Sequence, residues 1–384
     1  MSAIWITRLG AAPLGRRLAV KDLFDTAGIR TTYGSAVFAD HVPDRTAAAV
    51  LALEASGWVS VGKTNLHEFA YGITSQNPHY GDVPNPRFRG RVAGGSSGGS
   101  AAALVTGEAD LGLGTDTGGS IRIPAACCEI VGFKPSHGMV PMDGCFPLAP
   151  SFDHVGPLAL DVAGCVEAME ALAGIRATPL GSLDEITVGV AWIEHADAAV
   201  RERVEAASAV LPRRRAIELP LPAGLFPAFQ SEIAEVHRDL FARHRDLYGP
   251  NARHKIGLAL EVGNREAAAA RAVRQDYRAA FGSALDGLDL LVAPTLPIEP
   301  PPAHVDELDV RERMTQLTFP LNAVGAPALA LPCARTNAGL PVSIQLIGRP
   351  GADELVLGAG ALLEAALRHT LPPREEPEHQ ERGA

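Results

Sequence analysis

Apolar residues in this chain fall in short runs punctuated by glycine, proline and charge, a spacing that suits strands alternating with helices. Residues 17–20 run into Lys21-Asp22 and then into the turn Thr26-Ala27-Gly28, which predicts a strand delivering Lys21 at its end. Residues 47–55 predict a helix, with Asp44 placed to cap it and Gly57 to close it. Residues 58–62 alternate and predict a strand. An alanine-rich helix from Ala101, a strand over 109–114 and a helix beginning near Ile121 come next. Beyond these the pattern predicts helices over 161–172 and 353–367, and strands over 186–191, 290–293, 328–331 and 342–347. Helix and strand in alternation point to an α/β fold.

Residues 197–285 read as mostly helical, with proline breaks between 212 and 227, and 294–302 as a proline-rich loop. The expected organisation is one catalytic domain over 1–370, in which the helical segment shapes a cleft. Residues 371–384, rich in Pro, Glu and Arg, are expected to form a disordered tail. No internal repeat is visible.

Composition narrows the function classes. A chain of 384 residues, 47% hydrophobic and 20% charged, can bury a sizeable core. A net charge of −10 argues against a nucleic-acid partner, which calls for a basic stripe. No stretch reaches the roughly 18 apolar residues of a membrane helix. Residues 1–10 show no cationic segment followed by an apolar run, so a cytoplasmic location is expected. The five cysteines are an odd number without metal-ligand spacing and read as reduced, buried thiols, so no metal or cofactor is expected. Only four of the 34 basic residues are lysines, which makes each lysine worth explaining.

The most unusual composition lies between Gly90 and Gly119. Gly94-Gly95-Ser96-Ser97-Gly98-Gly99-Ser100 precedes a helix, and Thr115-Asp116-Thr117-Gly118-Gly119-Ser120 joins a strand to a helix. A flexible linker would not alternate with apolar helix and strand segments. Glycines here instead let backbone approach a substrate or adopt positive φ. A serine that attacks an amide needs a base and donors for the oxyanion. Gly118-Gly119-Ser120 offers the hydroxyl and bare N–H groups, but no Ser-His-Asp order can be picked out among twelve histidines.

Residues 19–28 (AVKDLFDTAG), Gly62-Lys63-Thr64-Asn65 with Glu68-Phe69, the two Gly/Ser motifs, Gly132-Phe133-Lys134-Pro135, Ser151-Phe152-Asp153, Gly156-Pro157, Ala293-Pro294-Thr295 and Gly339-Leu340-Pro341 together resemble the amidase signature family, in that family's order from about residue 18 to 350. The resemblance implies a mixed sheet with helices on both faces. It implies an amidohydrolase that cleaves a C–N amide bond through an acyl-enzyme on Ser120, with a Ser96/Lys21 relay and a cis peptide at Gly95–Ser96. The oxyanion hole would be the N–H groups of Thr117, Gly118, Gly119 and Ser120, while Asp116 and Arg122 would be structural. Phe69, Tyr71, Ile73 and Phe319 are candidates for the cleft wall, by proximity to motifs. The expected partner is a small-molecule amide, and the family resemblance also allows a homodimer. Three activities fit: a free-standing amidase, a ureide or carbamate hydrolase, or an ammonia-supplying, glutaminase-type member of an assembly. The family has several tens of residues ahead of its lysine, and this chain has twenty.

Competing motifs are weaker. Gly95-Ser-Ser-Gly-Gly99 matches the nucleophile elbow with Ser97 central, but no hydrophobic strand precedes it. Ser60-Val-Gly-Lys63 matches S-x-x-K, but on a strand the two side chains point apart. The glycines lack the lysine of a phosphate loop. His237 and His244 read as a solvated helix face, and Lys63 and Lys134 as structural. Lys21 must be mostly neutral to act as a base, so it is expected to be buried and turned away from Asp22 and Asp25.

Overall fold

A computed structural model of the protein describes residues 3–10 and 15–368. The expected disordered tail, 371–384, lies outside the described residues.

Eleven strands among the described residues form one sheet: β1 (Trp5–Arg8), β2 (Arg16–Lys21), β3 (Trp58–Thr64), β4 (Leu111–Thr115), β5 (Val131–Lys134), β6 (Val155–Ala159), β7 (Val188–Val190), β8 (Arg214–Ala216), β9 (Leu290–Pro294), β10 (Ala328–Arg335) and β11 (Pro341–Ile347). Their order is β1-β3-β2-β4-β6-β5-β10-β11-β9-β7-β8. β2 runs parallel to both β3 and β4, β7 runs parallel to β8 and β9, and the remaining pairs are antiparallel. The sheet is therefore mixed, as expected.

Side-chain alternation along the strands makes two buried faces. Leu18, Val20, Leu111, Leu113, Leu329, Leu331, Ile344 and Leu346 point to one face. There they meet α1 (Ala48–Ala55), α4 (Val162–Ala173), α5 (Ala198–Ser208) and α11 (Asp353–Leu367). Ala19 and Ala330 point the other way, and their small size lets α2 (Gly98–Val105) and α3 (Arg122–Cys128) settle close to the sheet. Leu291, Ala293 and Ile347 also occupy this second side and pack towards α8 (Asn264–Ala284) and α10 (Phe319–Val324). Lys21 has the parity of Ala19, so the period of two sends it towards α2 and α3 and away from the larger core.

A further cluster joins α6 (Phe226–His244) and α7 (Pro250–Leu260) to residues 66–71 and 148–152. The segment 197–285 is thus mostly helical, with the edge strand β8 inside it. The remaining helix, α9 (Glu307–Thr315), is N-capped by the Asp306 side chain. No helix among the described residues is long and apolar enough to cross a membrane.

Two local expectations change. Asp44 does not cap α1, whose N-cap is Ala47 with no side-chain bond. His237 does not sit on a solvated face: it is fully buried, with its ring against Phe69 and Nδ1 3.1 Å from the Tyr248 hydroxyl. Apolar neighbours depress its pKa to about 3, so it stays neutral.

Candidate active site

Lys21 ends β2 fully buried. Its Nζ lies 2.7 Å from Ser96 Oγ, 2.9 Å from Ser97 Oγ and 2.7 Å from Thr115 Oγ1. Three hydroxyls thus surround the amine and no carboxylate touches it. Asp22 faces Lys63 and the Thr32 hydroxyl, and Asp25 accepts from the Tyr33 hydroxyl, so both acids adjacent in sequence are turned elsewhere. Burial depresses the Lys21 pKa to about 7, against weaker opposing pulls from Cys145, Asp116 and Asp153.

Ser96 and Ser97 sit where the chain enters α2, and the Gly95–Ser96 peptide is cis. Gly99 is required here, because a Cβ would come within 2.2 Å of the Asn65 carbonyl oxygen. The loop is tied to its neighbours at several points: Ser75 Oγ and the His67 N–H donate to the Ser96 carbonyl, and the Ser97 N–H donates to the Ser120 carbonyl at 3.3 Å. Ser97 Oγ also contacts the main chain of Thr115, donating to its carbonyl at 3.2 Å.

Asp116 organises the turn that carries Ser120. Its carboxylate accepts from the Gly119 N–H at 2.8 Å and from the Ile121 N–H at 3.2 Å. Arg122 grips both oxygens at 3.0 Å, and Asn322 Nδ2 reaches the carboxylate and the main-chain carbonyl of Asp116 at 2.8 Å each. Burial would raise this carboxyl's pKa, but the Arg122 charge overcomes it and holds the group well below the usual range. Gly119 takes φ +131°, and a Cβ there would meet the Thr318 hydroxyl at 2.4 Å. Thr117 Oγ1 donates to buried Asp153 at 2.7 Å, bracing the other end of the turn.

The turn opens onto a cleft of about 670 Å³, a size suited to a small molecule. Thr117, Gly118 and Ser120 line it, with Tyr71, Ile73 and Phe319 on its walls. Gly119 is not among its lining residues, and its N–H is already donated to Asp116. Phe69 is a correction: it packs at 0% exposure against Phe38, Phe146, His237 and Tyr248, inside the helical cluster. Phe69 and Tyr71 are close in the chain, but the left-handed turn at Phe69 and Ala70 sends the two rings to different sides.

A model of the family described as Amidase matches residues 14–191 and 196–357. The chain belongs to the amidase family. It is a hydrolase acting on C–N bonds, with the mixed α/β fold of solved amidases. One relative is a glutamyl-tRNA(Gln) amidotransferase subunit from Haloarcula marismortui, 35% identical over 91% of this chain and 95% of the relative. Another is the AtzE subunit of the 1-carboxybiuret hydrolase of Pseudomonas sp. (strain ADP), 35% identical over 91% of this chain and 83% of that one. Among solved structures, an amidase superimposes with TM-score 0.85 at 36% identity, covering 92% of this chain and 84% of that chain.

This candidate site also contains residues that sequence reasoning missed. Ser97 and Thr115 are lysine partners that the sequence does not announce, although both lie in the Gly/Ser motifs. Phe226 and Phe229, one helical turn apart on α6, join Phe319 in a ring cluster with centroids 5.4–5.9 Å apart. Their i, i+3 spacing was the available signal. Lys63 and Lys134 are structural, as expected. Lys63 donates to the Phe24 carbonyl and the Thr31 hydroxyl, and Lys134 to the carbonyls of Pro135 and Ala326.

Proposed function

We propose that the protein hydrolyses a small-molecule amide through an acyl-enzyme on Ser120, with Ser96 and Lys21 relaying the proton, and that residues 1–370 act as one catalytic domain. The supporting observation is the setting of Lys21: fully buried, 2.7 Å from Ser96 Oγ and without a carboxylate partner. An amine with a pKa near 7 is substantially free base at neutral pH and can accept a proton.

Ser120 Oγ attacks the carbonyl carbon while its proton passes to Ser96 Oγ, whose own proton passes to Lys21 Nζ. The N–H groups of Thr117, Gly118 and Ser120 receive the oxyanion, with the Gly119 N–H reserved for Asp116. The proton then returns through Ser96 to the leaving nitrogen, which departs as ammonia or an amine once protonated. Water hydrolyses the ester by the same route. Trapping with a fluorophosphonate and mapping the adduct by mass spectrometry tests this scheme. A label on Ser97 or a cysteine, with none on Ser120, would overturn it.

A second reading, an ammonia-supplying glutaminase-type subunit, draws on relatives named as glutamyl-tRNA(Gln) amidotransferase subunits. A ureide or carbamate substrate draws on the relative named for 1-carboxybiuret hydrolysis. Turnover of a panel of amides, ureides and glutamine separates these readings, and glutaminase activity that rises with tRNA and a partner protein would select the role within an assembly.

A further inference from the structure

Most of the cleft wall is apolar and aromatic, but α9 adds a cation to it. Arg311 is the one basic side chain among the described residues that line the cleft. Its guanidinium lies 4.8 Å from the Tyr71 ring centroid and 5.3 Å from that of Phe226, and its side chain is only 20% exposed. Two rings therefore flank the group and shield most of it from water. Dehydration of this kind makes arginine an effective receptor for a planar anion.

Among the described residues, no carboxylate is hydrogen-bonded to Arg311. Glu307, one turn earlier on α9, approaches with Oε1 3.7 Å from Arg311 Nε, too far for a hydrogen bond. That carboxylate is engaged elsewhere: its Oε2 accepts from Lys255 Nζ and from Asn251 Nδ2, each at 3.0 Å. Lys255 in turn donates to the Tyr71 carbonyl. That buried acid thus faces Arg311 on one side and Lys255 on the other, and burial depresses the Lys255 pKa to about 7, which leaves it only partly charged at neutral pH. His67, whose ring lies 3.3 Å from Asn251 Oδ1, adds no charge, because burial depresses its pKa to about 4. Glu312 also lines the cleft, but it is exposed and water screens it. The Arg311 charge also lies close to the Tyr71 hydroxyl, and a guanidinium has five N–H donors to offer.

We infer that Arg311 is a specificity-determining residue whose guanidinium receives a carboxylate on the substrate, so that the cleft selects amides carrying a second, anionic end. The inference rests on the amidase reading of Ser120, since both groups line the same cleft. The substrate class is the half-amide of a dicarboxylic acid. Its amide carbon lies at Ser120 and its carboxylate at Arg311, with the apolar chain between them against Tyr71 and Phe226. Neither bond-making nor proton transfer involves Arg311.

The test pairs succinamate, glutaramate and adipamate with neutral amides of matched chain length. A charged hydrogen-bonded contact stabilises by about 1.5–3 kcal/mol, so the best half-amide should exceed its neutral partner roughly 10–150-fold in kcat/KM. In Arg311→Gln this ratio should collapse to within about threefold of one, chiefly through KM, with Arg311→Lys intermediate. A neutral amide preferred by the unmodified enzyme, or an equal loss on both classes in Arg311→Gln, would overturn the inference. Calorimetry of glutarate with Ser120→Ala, compared with Ser120→Ala/Arg311→Gln, reads the anion site without turnover. Binding to the first protein and not the second supports the site even if no amide is hydrolysed, an outcome that would sink the amidase reading alone. Equal binding to both proteins, or to neither, removes the anion site while leaving any amide turnover at Ser120 intact.

Discussion

Lys63 Nζ stands 3.3 Å from Asp22 Oδ1, with both side chains buried. This pairing leaves Lys21, the residue next to Asp22 in the chain, free of its acid. The two lysines end up with different partners: Lys63 with a carboxylate, a carbonyl and a threonine hydroxyl, Lys21 with hydroxyls alone. An acid beside Lys21 would hold it charged, so the division suits Lys63 to structure and Lys21 to proton transfer.

The first prediction concerns pH. Only the free base of Lys21 can accept a proton, so log kcat/KM should climb with unit slope below pH about 7 and level off above it. That rise falls where a histidine would also titrate, so the profile alone does not name the base. Lys21→Ala should lose about 10²–10⁴-fold in kcat while keeping its melting temperature near that of the parent. Lys21→Arg should do no better, because arginine stays charged. Near-normal turnover in Lys21→Ala would send the search for the base elsewhere.

The adjacent serines should separate. Both contact Lys21, but Ser97 Oγ is also bonded to the Thr115 main chain. Ser96→Ala is expected to fall with Lys21→Ala, whereas Ser97→Ala should retain activity within about tenfold, losing only a neutral hydrogen bond worth roughly 1 kcal/mol. Steady-state kinetics on the two variants check this, and equal losses would contradict it.

Asp116 and Arg122 form an ion pair at 0% exposure. Removing one partner leaves the other charged and buried, at a cost of about 3–5 kcal/mol. Arg122→Met should lower unfolding stability in urea by that order and loosen the Ser120 turn with it. A variant that lost activity without losing stability would place Arg122 in the chemistry instead.

Two phenylalanines offer a contrast between core and wall. Phe69→Ala should destabilise by about 3–5 kcal/mol, as expected for a buried ring. Phe319→Ala, in the cleft, should act mainly on KM. Paired melting curves and kinetics decide the matter, and the reverse pattern would return Phe69 to the cleft.

How much is legible in the chain depends on how each element is stabilised. β2, β10, β11 and α11 carry continuous apolar signals, and their predicted bounds differ from the observed ones mainly at the ends. β5 (VGFK) and β6 (VGPLA) read only as motifs, because glycine and proline dilute the strand pattern. They form because neighbouring strands on both sides bury them, a tertiary effect invisible to local propensity. α9 escapes notice because it is largely charged and only Glu307 and Met314 are buried. The motifs single out Lys21, Ser96 and Ser120, and the structure brings Lys21 to Ser96. Phe69 is misplaced by the sequence because proximity along the chain says nothing about a left-handed backbone turn. Arg311 is missed because its role depends on rings carried by α6 and by the loop at Tyr71, both remote in the chain.

The latch on the Ser120 turn has a consequence for how the molecule is made. Thr318 Oγ1 donates to the Gly118 carbonyl at 2.7 Å, Arg122 donates to the Thr318 carbonyl at 3.0 Å and to Asn322 Oδ1 at 2.7 Å, and Asn322 closes on Asp116. A ribosome therefore delivers Lys21, Ser96 and Ser120 long before the residues that clamp the Ser120 turn. A nascent chain arrested ahead of residue 318 holds the whole proposed relay and still lacks the clamp. Such a chain should stay dark to a fluorescent fluorophosphonate, and reactivity should switch on only after Asn322 has left the exit tunnel. On the proposed scheme, birth of the polypeptide and birth of the nucleophile would be separated in time, so that a half-made copy spares the amides around it.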